Sequence, residues 1–117
     1  MELPAQLEAR FAELLRRYPR KRSALVPMLL FAQDQFGYLS DALIEEIARR
    51  LDLNVLQVTE TLAYYSMLRR EPAGKYHLQI CTNVSCMLRG GYRILEHCQR
   101  RLGIGHKQKT PDGRFSL

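Results

Sequence analysis

A chain of 117 residues that is 46% hydrophobic and 26% charged, with a formal charge of +6, has the composition of a soluble globular protein with one domain or two very small ones. Its most apolar run, Ala24 to Ala32, holds nine residues and contains Pro27, about half of the roughly 20 residues that a membrane span requires. The opening Met1-Glu2-Leu3-Pro4 lacks the basic-then-apolar order of a secretory signal, so a cytosolic location is expected; in that reducing compartment three cysteines point to metal binding or redox chemistry rather than to a disulfide framework.

The first seventy residues are predicted to form four helices. Pro4 suits a first helical position, and Leu7, Phe11, Leu14 and Leu15 make an apolar stripe that stops near Tyr18-Pro19. Ser23 is expected to cap the second helix, with Pro27 tolerated near its start, Met28, Leu29, Ala32 and Phe36 facing inward, and Gly37 ending it. Ser40 caps the third, whose buried side is Leu43, Ile44, Ile47, Ala48 and Leu51. Asn54 and Gln57 have the spacing of a capping box for the fourth, with Val55, Val58, Leu62 and Tyr65 as its stripe. Short connections between amphipathic helices imply a compact bundle with antiparallel neighbours.

Basic residues gather in Arg16, Arg17, Arg20, Lys21 and Arg22, and in the pairs Arg49-Arg50, Arg69-Arg70 and Arg100-Arg101. Each pair falls at or near a predicted helix end, where cations suit the negative end of the dipole. That explanation covers most of the basic charge, and docking of an acidic partner covers the rest at least as well as nucleic-acid binding, which ranks last.

Composition shifts after position 73, where six of the seven glycines lie, and Glu71-Pro72-Ala73-Gly74 reads as a turn between two parts, 1–71 and 72–117. Lys75 to Ile80 alternates, with Tyr76, Leu78 and Ile80 on one face and Lys75, His77 and Gln79 on the other, as a half-buried strand does. Cys81-Thr82-Asn83-Val84-Ser85-Cys86 follows at the strand's end. A helix is predicted to begin within a few residues of Cys86, on the recurrence of Leu88, Tyr92, Leu95, Cys98 and Leu102. Unpaired N–H groups at its start would favour a thiolate or an anionic cluster. After Gly103 to Gly105 comes the turn Thr110-Pro111-Asp112-Gly113, and Arg114-Phe115-Ser116-Leu117 begins a second strand. The fold class expected is α+β: an N-terminal helical bundle, then a strand, cysteine loop, helix and the start of another strand.

By residue type alone the close thiols remain open to cluster ligation, zinc, dithiol chemistry or a disulfide. Zinc would need four ligands, and His77, His97 and His106 do not complete a set. Thioredoxin-type exchange normally has two residues between its cysteines, and four stand here. Cys98, on an apolar stripe, is expected to be a small core residue. Asn83 and Ser85 shape the loop and could tune a cluster's potential as donors, and Arg89 could stabilise negative charge there. No glycine-rich phosphate loop, activated nucleophile or carboxylate pair suggests an active site.

Phe36-Gly37-Tyr38-Leu39-Ser40, Ala63-Tyr64-Tyr65-Ser66-Met67, the run from Gly74 through Cys81 and Cys86 to Gly90, and Thr110-Pro111-Asp112-Gly113-Arg114-Phe115 resemble the E subunits of bacterial NADH:quinone oxidoreductase, respiratory complex I, over nearly the whole chain. Related chains occur in NAD-reducing hydrogenases and formate dehydrogenases. The resemblance implies a thioredoxin-like ferredoxin domain carrying one [2Fe–2S] cluster, with Cys81 and Cys86 matching the first two of its ligands. It implies a cytoplasmic place in the peripheral arm of a membrane-bound complex, without direct membrane insertion and without nucleic acid. The neighbours would be the subunit that binds FMN and NADH and other peripheral-arm subunits. The chain would transfer electrons without turnover of its own. The family's second cysteine pair would come soon after Phe115, so the chain is expected to stop short of half its ligands and to hold an incomplete cluster or none. A cluster-free helical docking module is the alternative.

Overall fold

In a computed structural model, residues 2–117 are described, and they fall into two compact units, one running to Pro72 and the other Ala73–Leu117. The architecture is α+β, dominated by helix with one two-stranded sheet. Among the described residues no helix is long and apolar enough to cross a membrane.

The first unit contains helices α1 (Ala5–Arg17), α2 (Leu25–Phe36), α3 (Asp41–Arg50) and α4 (Val55–Tyr64), with a single 3-10 turn over Lys21–Ala24. Pro4 is the N-cap of α1 rather than its first residue, and its carbonyl accepts the Glu8 N–H at 3.0 Å. Ser23 does not cap α2. It lies inside the 3-10 turn, which runs into the helix so that backbone carbonyls do the capping: Leu25 N–H donates to the Arg22 carbonyl. Gly37 ends α2 in the left-handed region, at φ +84°, where its N–H reaches the Gln33 carbonyl. Ser40 accepts the Leu43 N–H at 3.3 Å as the cap of α3, and Asn54 and Gln57 close the capping box of α4 in both directions, at 2.9 and 3.1 Å.

The apolar stripes converge on one core. Phe11, Met28, Leu29, Leu39, Leu43, Ile44, Ile47 and Val58 are its largest fully buried side chains, with Leu15, Phe31 and Phe36 packed around it. The α4 stripe is narrower than its spacing predicts. Val58 and Leu62 are buried, whereas Val55 is 46% exposed and Tyr65 also faces outward. Both lie at the ends of α4, Val55 as its first residue and Tyr65 as its C-cap.

Two polar devices tie this unit together. Glu46 of α3, buried, accepts from Arg49 and from Arg50 Nε at 2.9 Å, and Arg50 also forms a bidentate pair with Glu8 of α1 while lying 5.8 Å over the Phe11 ring. Those arginines hold the Glu46 carboxyl down at about 2 against the opposing effect of burial. The second device is Gln33 of α2, also buried, whose amide donates to the Met67 carbonyl at 2.8 Å and accepts the Arg69 N–H at 2.7 Å. Arg69 and Arg70 therefore do not neutralise a helix end, since α4 stops at Tyr64. Instead they sit on a strap over α2 and α3, with Arg69 donating to the Gly37 carbonyl at 3.3 Å and Arg70 to Asp41 at 2.8 Å.

The second unit runs β1 (Tyr76–His77), α5 (Val84–Leu88), α6 (Gly91–Leu102), β2 (Phe115–Ser116). The strands pair in parallel, Tyr76 opposite Phe115 and His77 opposite Ser116, so the two helices form the crossover that parallel strands need. The strand expected over Lys75 to Ile80 is ladder only at Tyr76–His77, with Leu78 N–H still reaching the Ser116 carbonyl at 2.9 Å. A strand extends as far as its partner, and β2 is equally short. Ser116 is buried. Its hydroxyl accepts the Gly74 N–H at 3.0 Å and lies 2.8 Å from His77 Nδ1, which occupies that histidine.

Glu46→Gln is expected to lower the unfolding free energy at neutral pH by about 2 kcal/mol, the scale of lost charge-assisted hydrogen bonds. Because the folded carboxyl titrates at about 2, below an unfolded glutamate, its stabilisation is complete at neutral pH and disappears as pH falls from the ordinary glutamate range through about 2. Denaturant melts should show the gap between variant and parent closing on acidification; a gap constant from pH 7 to 3 would contradict it. Gln33→Ala strands the Met67 carbonyl and the Arg69 N–H, and should cost ~1–3 kcal/mol with faster exchange of the Arg69 amide hydrogen.

Candidate functional site

Cys81 follows β1 in the loop before α5, and Cys86 is the third residue of α5. Asn83 separates them as the helix cap. Its side chain accepts the Val84 N–H at 2.8 Å and its carbonyl accepts the Met87 N–H at 2.7 Å. These bonds fix the start of the short helix that carries Cys86. Cys81 and Cys86 are both exposed, unoxidised thiols, and each shifts the other's pKa.

The pair is electrostatically unequal. The Asn83 backbone N–H and the Cys86 thiol both donate to the Cys81 sulfur and hold its pKa below the usual thiol value. Cys86 is raised, because it donates to Cys81 and faces the charge that Cys81 develops. In chemical terms the loop offers two neighbouring sulfurs, of which Cys81 ionises the more readily. That is the donor set for one soft metal centre, and it fits one iron's share of a binuclear cluster. Among the described residues no group of three or more His, Cys, Asp or Glu side chains is placed to hold a metal.

The helix expected to run on from Cys86 is broken in two. Gly90, at φ +95°, is left-handed and serves as the N-cap of α6, so α5 and α6 point differently. The stripe beyond the loop splits with them. Leu95, Cys98 and Leu102 are half-buried, while Leu88 is 76% and Tyr92 52% exposed. Cys98 is therefore a partly buried helix residue outside the main core cluster, not the core residue its spacing predicts. Arg89 is exposed at the end of α5.

One residue of the site escapes motif reasoning. Gly91, the first residue of α6, is buried against the loop's own backbone: a Cβ there would lie 2.7 Å from the Cys81 carbonyl oxygen and 2.9 Å from that of Cys86. The doublet Gly90-Gly91 is the signal in the sequence, one glycine serving the dihedral and the next the contact. Gly74 has a similar place in the sheet, where a Cβ would lie 2.7 Å from the Phe115 carbonyl carbon.

The profile of the thioredoxin-like [2Fe-2S] ferredoxin family matches residues 11–117. The chain is 41% identical over its whole length to the E 2 subunit of NADH-quinone oxidoreductase from Rhizobium meliloti, of which it spans 67%. It is 40% identical to the corresponding E subunit from Rickettsia typhi, over 89% of this chain and 63% of that one. With the E subunit from Mycobacterium bovis the identity is 38%, over 97% of this chain and 45% of that one. A family match across nearly all of the sequence, together with relatives at this identity, establishes that the chain belongs to the thioredoxin-like [2Fe-2S] ferredoxin family, in its branch of NADH-quinone oxidoreductase E subunits.

Proposed function

We propose that the chain is the iron–sulfur electron-transfer subunit of an NADH:quinone oxidoreductase, non-catalytic by itself, in which Cys81 and Cys86 supply two thiolates of one [2Fe–2S] cluster. The observation that carries this reading is the pair of exposed thiols on either side of the Asn83 cap of α5, within a chain of that family. When bound, the cluster supplies reversible one-electron storage.

The chain's own residues do the rest. Cys81 and Cys86 bind, on a loop whose turn Asn83 fixes at the cap of α5. The Asn83 N–H directed at the Cys81 sulfur stabilises negative charge there, the interaction through which proteins raise a cluster's potential. Exposure of both thiols leaves the site open for ligands and a redox partner to approach. Residues 72–117 would be the ferredoxin portion and 1–71 a helical portion that docks. The neighbours would be the FMN- and NADH-binding subunit and other members of a cytoplasmic peripheral arm. An E-type subunit of an NAD-reducing hydrogenase or a formate dehydrogenase would use the same loop; the names of the relatives favour the quinone oxidoreductase.

In the assembled complex, the double substitution Cys81→Ser, Cys86→Ser should abolish one binuclear iron–sulfur EPR signal while the other clusters remain. Survival of that signal together with electron transfer would sink the reading and favour a cofactor-free docking module. The 117 residues alone, reconstituted anaerobically, are expected to retain little iron or sulfide per monomer, since two thiolates are half of a binuclear set; near-stoichiometric cluster in a monomer would contradict this.

A further inference from the structure

Three backbone features meet at the start of α6: the carbonyl of Cys81, the carbonyl of Cys86, and the α-carbon of Gly91. Gly91 is buried, and the missing Cβ would lie 2.7 Å from the Cys81 oxygen, 2.9 Å from the Cys86 oxygen and 3.1 Å from the Cys86 carbonyl carbon. Such separations lie inside van der Waals contact, and the atoms approached are backbone, which cannot rotate away as a side chain can. The Cys86 carbonyl is further constrained because it accepts the Arg89 N–H at 3.2 Å at the end of α5. The other glycines flanking α6 differ. Gly90 and Gly103 have positive φ and open space where a Cβ would stand, so they serve the chain's direction and touch nothing in the loop.

We propose that Gly91 is the positioning residue of the dithiol site: its hydrogen is the only substituent that lets the first turn of α6 seat on both cysteine carbonyls at once, and this seat sets the separation of the Cys81 and Cys86 sulfurs. The inference rests on the reading of these cysteines as metal ligands. Each sulfur is tied to its own carbonyl through Cα and Cβ, so a methyl group that pushes the two carbonyls off α6 displaces both sulfurs. The effect is steric and local, and it reaches the metal through the ligands without Gly91 touching it.

The probe is Cd2+ added to the reduced chain without oxygen, read by the thiolate-to-metal absorption band. Parent protein is expected to give a band that Cys81→Ser or Cys86→Ser weakens. Gly91→Ala should bind Cd2+ roughly tenfold or more weakly, the scale of lost ligand-orienting contacts, and should shift the band. Gly103→Ala strains the far end of the same helix at φ +67° without meeting the loop; it should lose stability but keep the parent's affinity and spectrum. Parent-like binding by folded Gly91→Ala would overturn the proposal, as would equal weakening by Gly103→Ala. Should Gly91→Ala fail to fold, NMR of the parent decides: the Gly91 amide and α-proton signals should move on Cd2+ loading, and unmoved signals would overturn it. A parent chain that gives no thiolate band at all would instead strike at the assignment of the ligands.

Discussion

The carbonyl oxygens of Cys81 and Cys86 converge on the α-carbon of Gly91, and the cysteine-bearing unit of the molecule is built around that approach. A five-residue helix such as α5 has little stability of its own. What holds it is the Asn83 cap at one end and the seat on α6 at the other. The cysteine loop is the segment between these two fixed points, so its thiols are held together although both are exposed to solvent.

The sheet performs a related task with little material. Two residues of β1 pair with two of β2, and the close approach of Gly74 to Phe115 and Ser116 lets the chain enter alongside. The Ser116 hydroxyl takes the Gly74 N–H and meets His77, so a polar side chain is satisfied in a buried place. Around it the Thr110–Gly113 turn is tied by the Asp112 carboxylate, which accepts from the Thr110 hydroxyl and from the Arg114 N–H at 3.0 Å. Those bonds hold the Asp112 carboxyl below the usual carboxylate range. The turn feeds Phe115 into register with Tyr76, their rings 5.6 Å apart.

The helical unit is organised by different physics. A continuous apolar core supplies most of its stability, and the buried Glu46 with Arg50 and Glu8 fixes how α1 and α3 meet. Some of its basic residues are paired at the surface, Arg17 with Glu13 one turn away and Lys21 with the distant Asp52.

Sequence alone determined what depends on neighbours in the chain. The apolar repeats marked α1 to α3, and Asn54 with Gln57 marked the start of α4, because caps and amphipathic stripes are local properties. The two cysteines and the residues around them marked the family for the same reason: they form a short contiguous motif. Tertiary structure decided what depends on distant partners. Only packing shows that β1 shrinks to the length of β2, that Arg69 and Arg70 belong to a strap held by Gln33, and that Tyr92 faces solvent while Leu95 does not. Gly91 stands between the two cases. Its place beside Gly90 is visible in the sequence, but its necessity comes from two carbonyls five and ten residues away, brought to within contact of one hydrogen only when the chain folds.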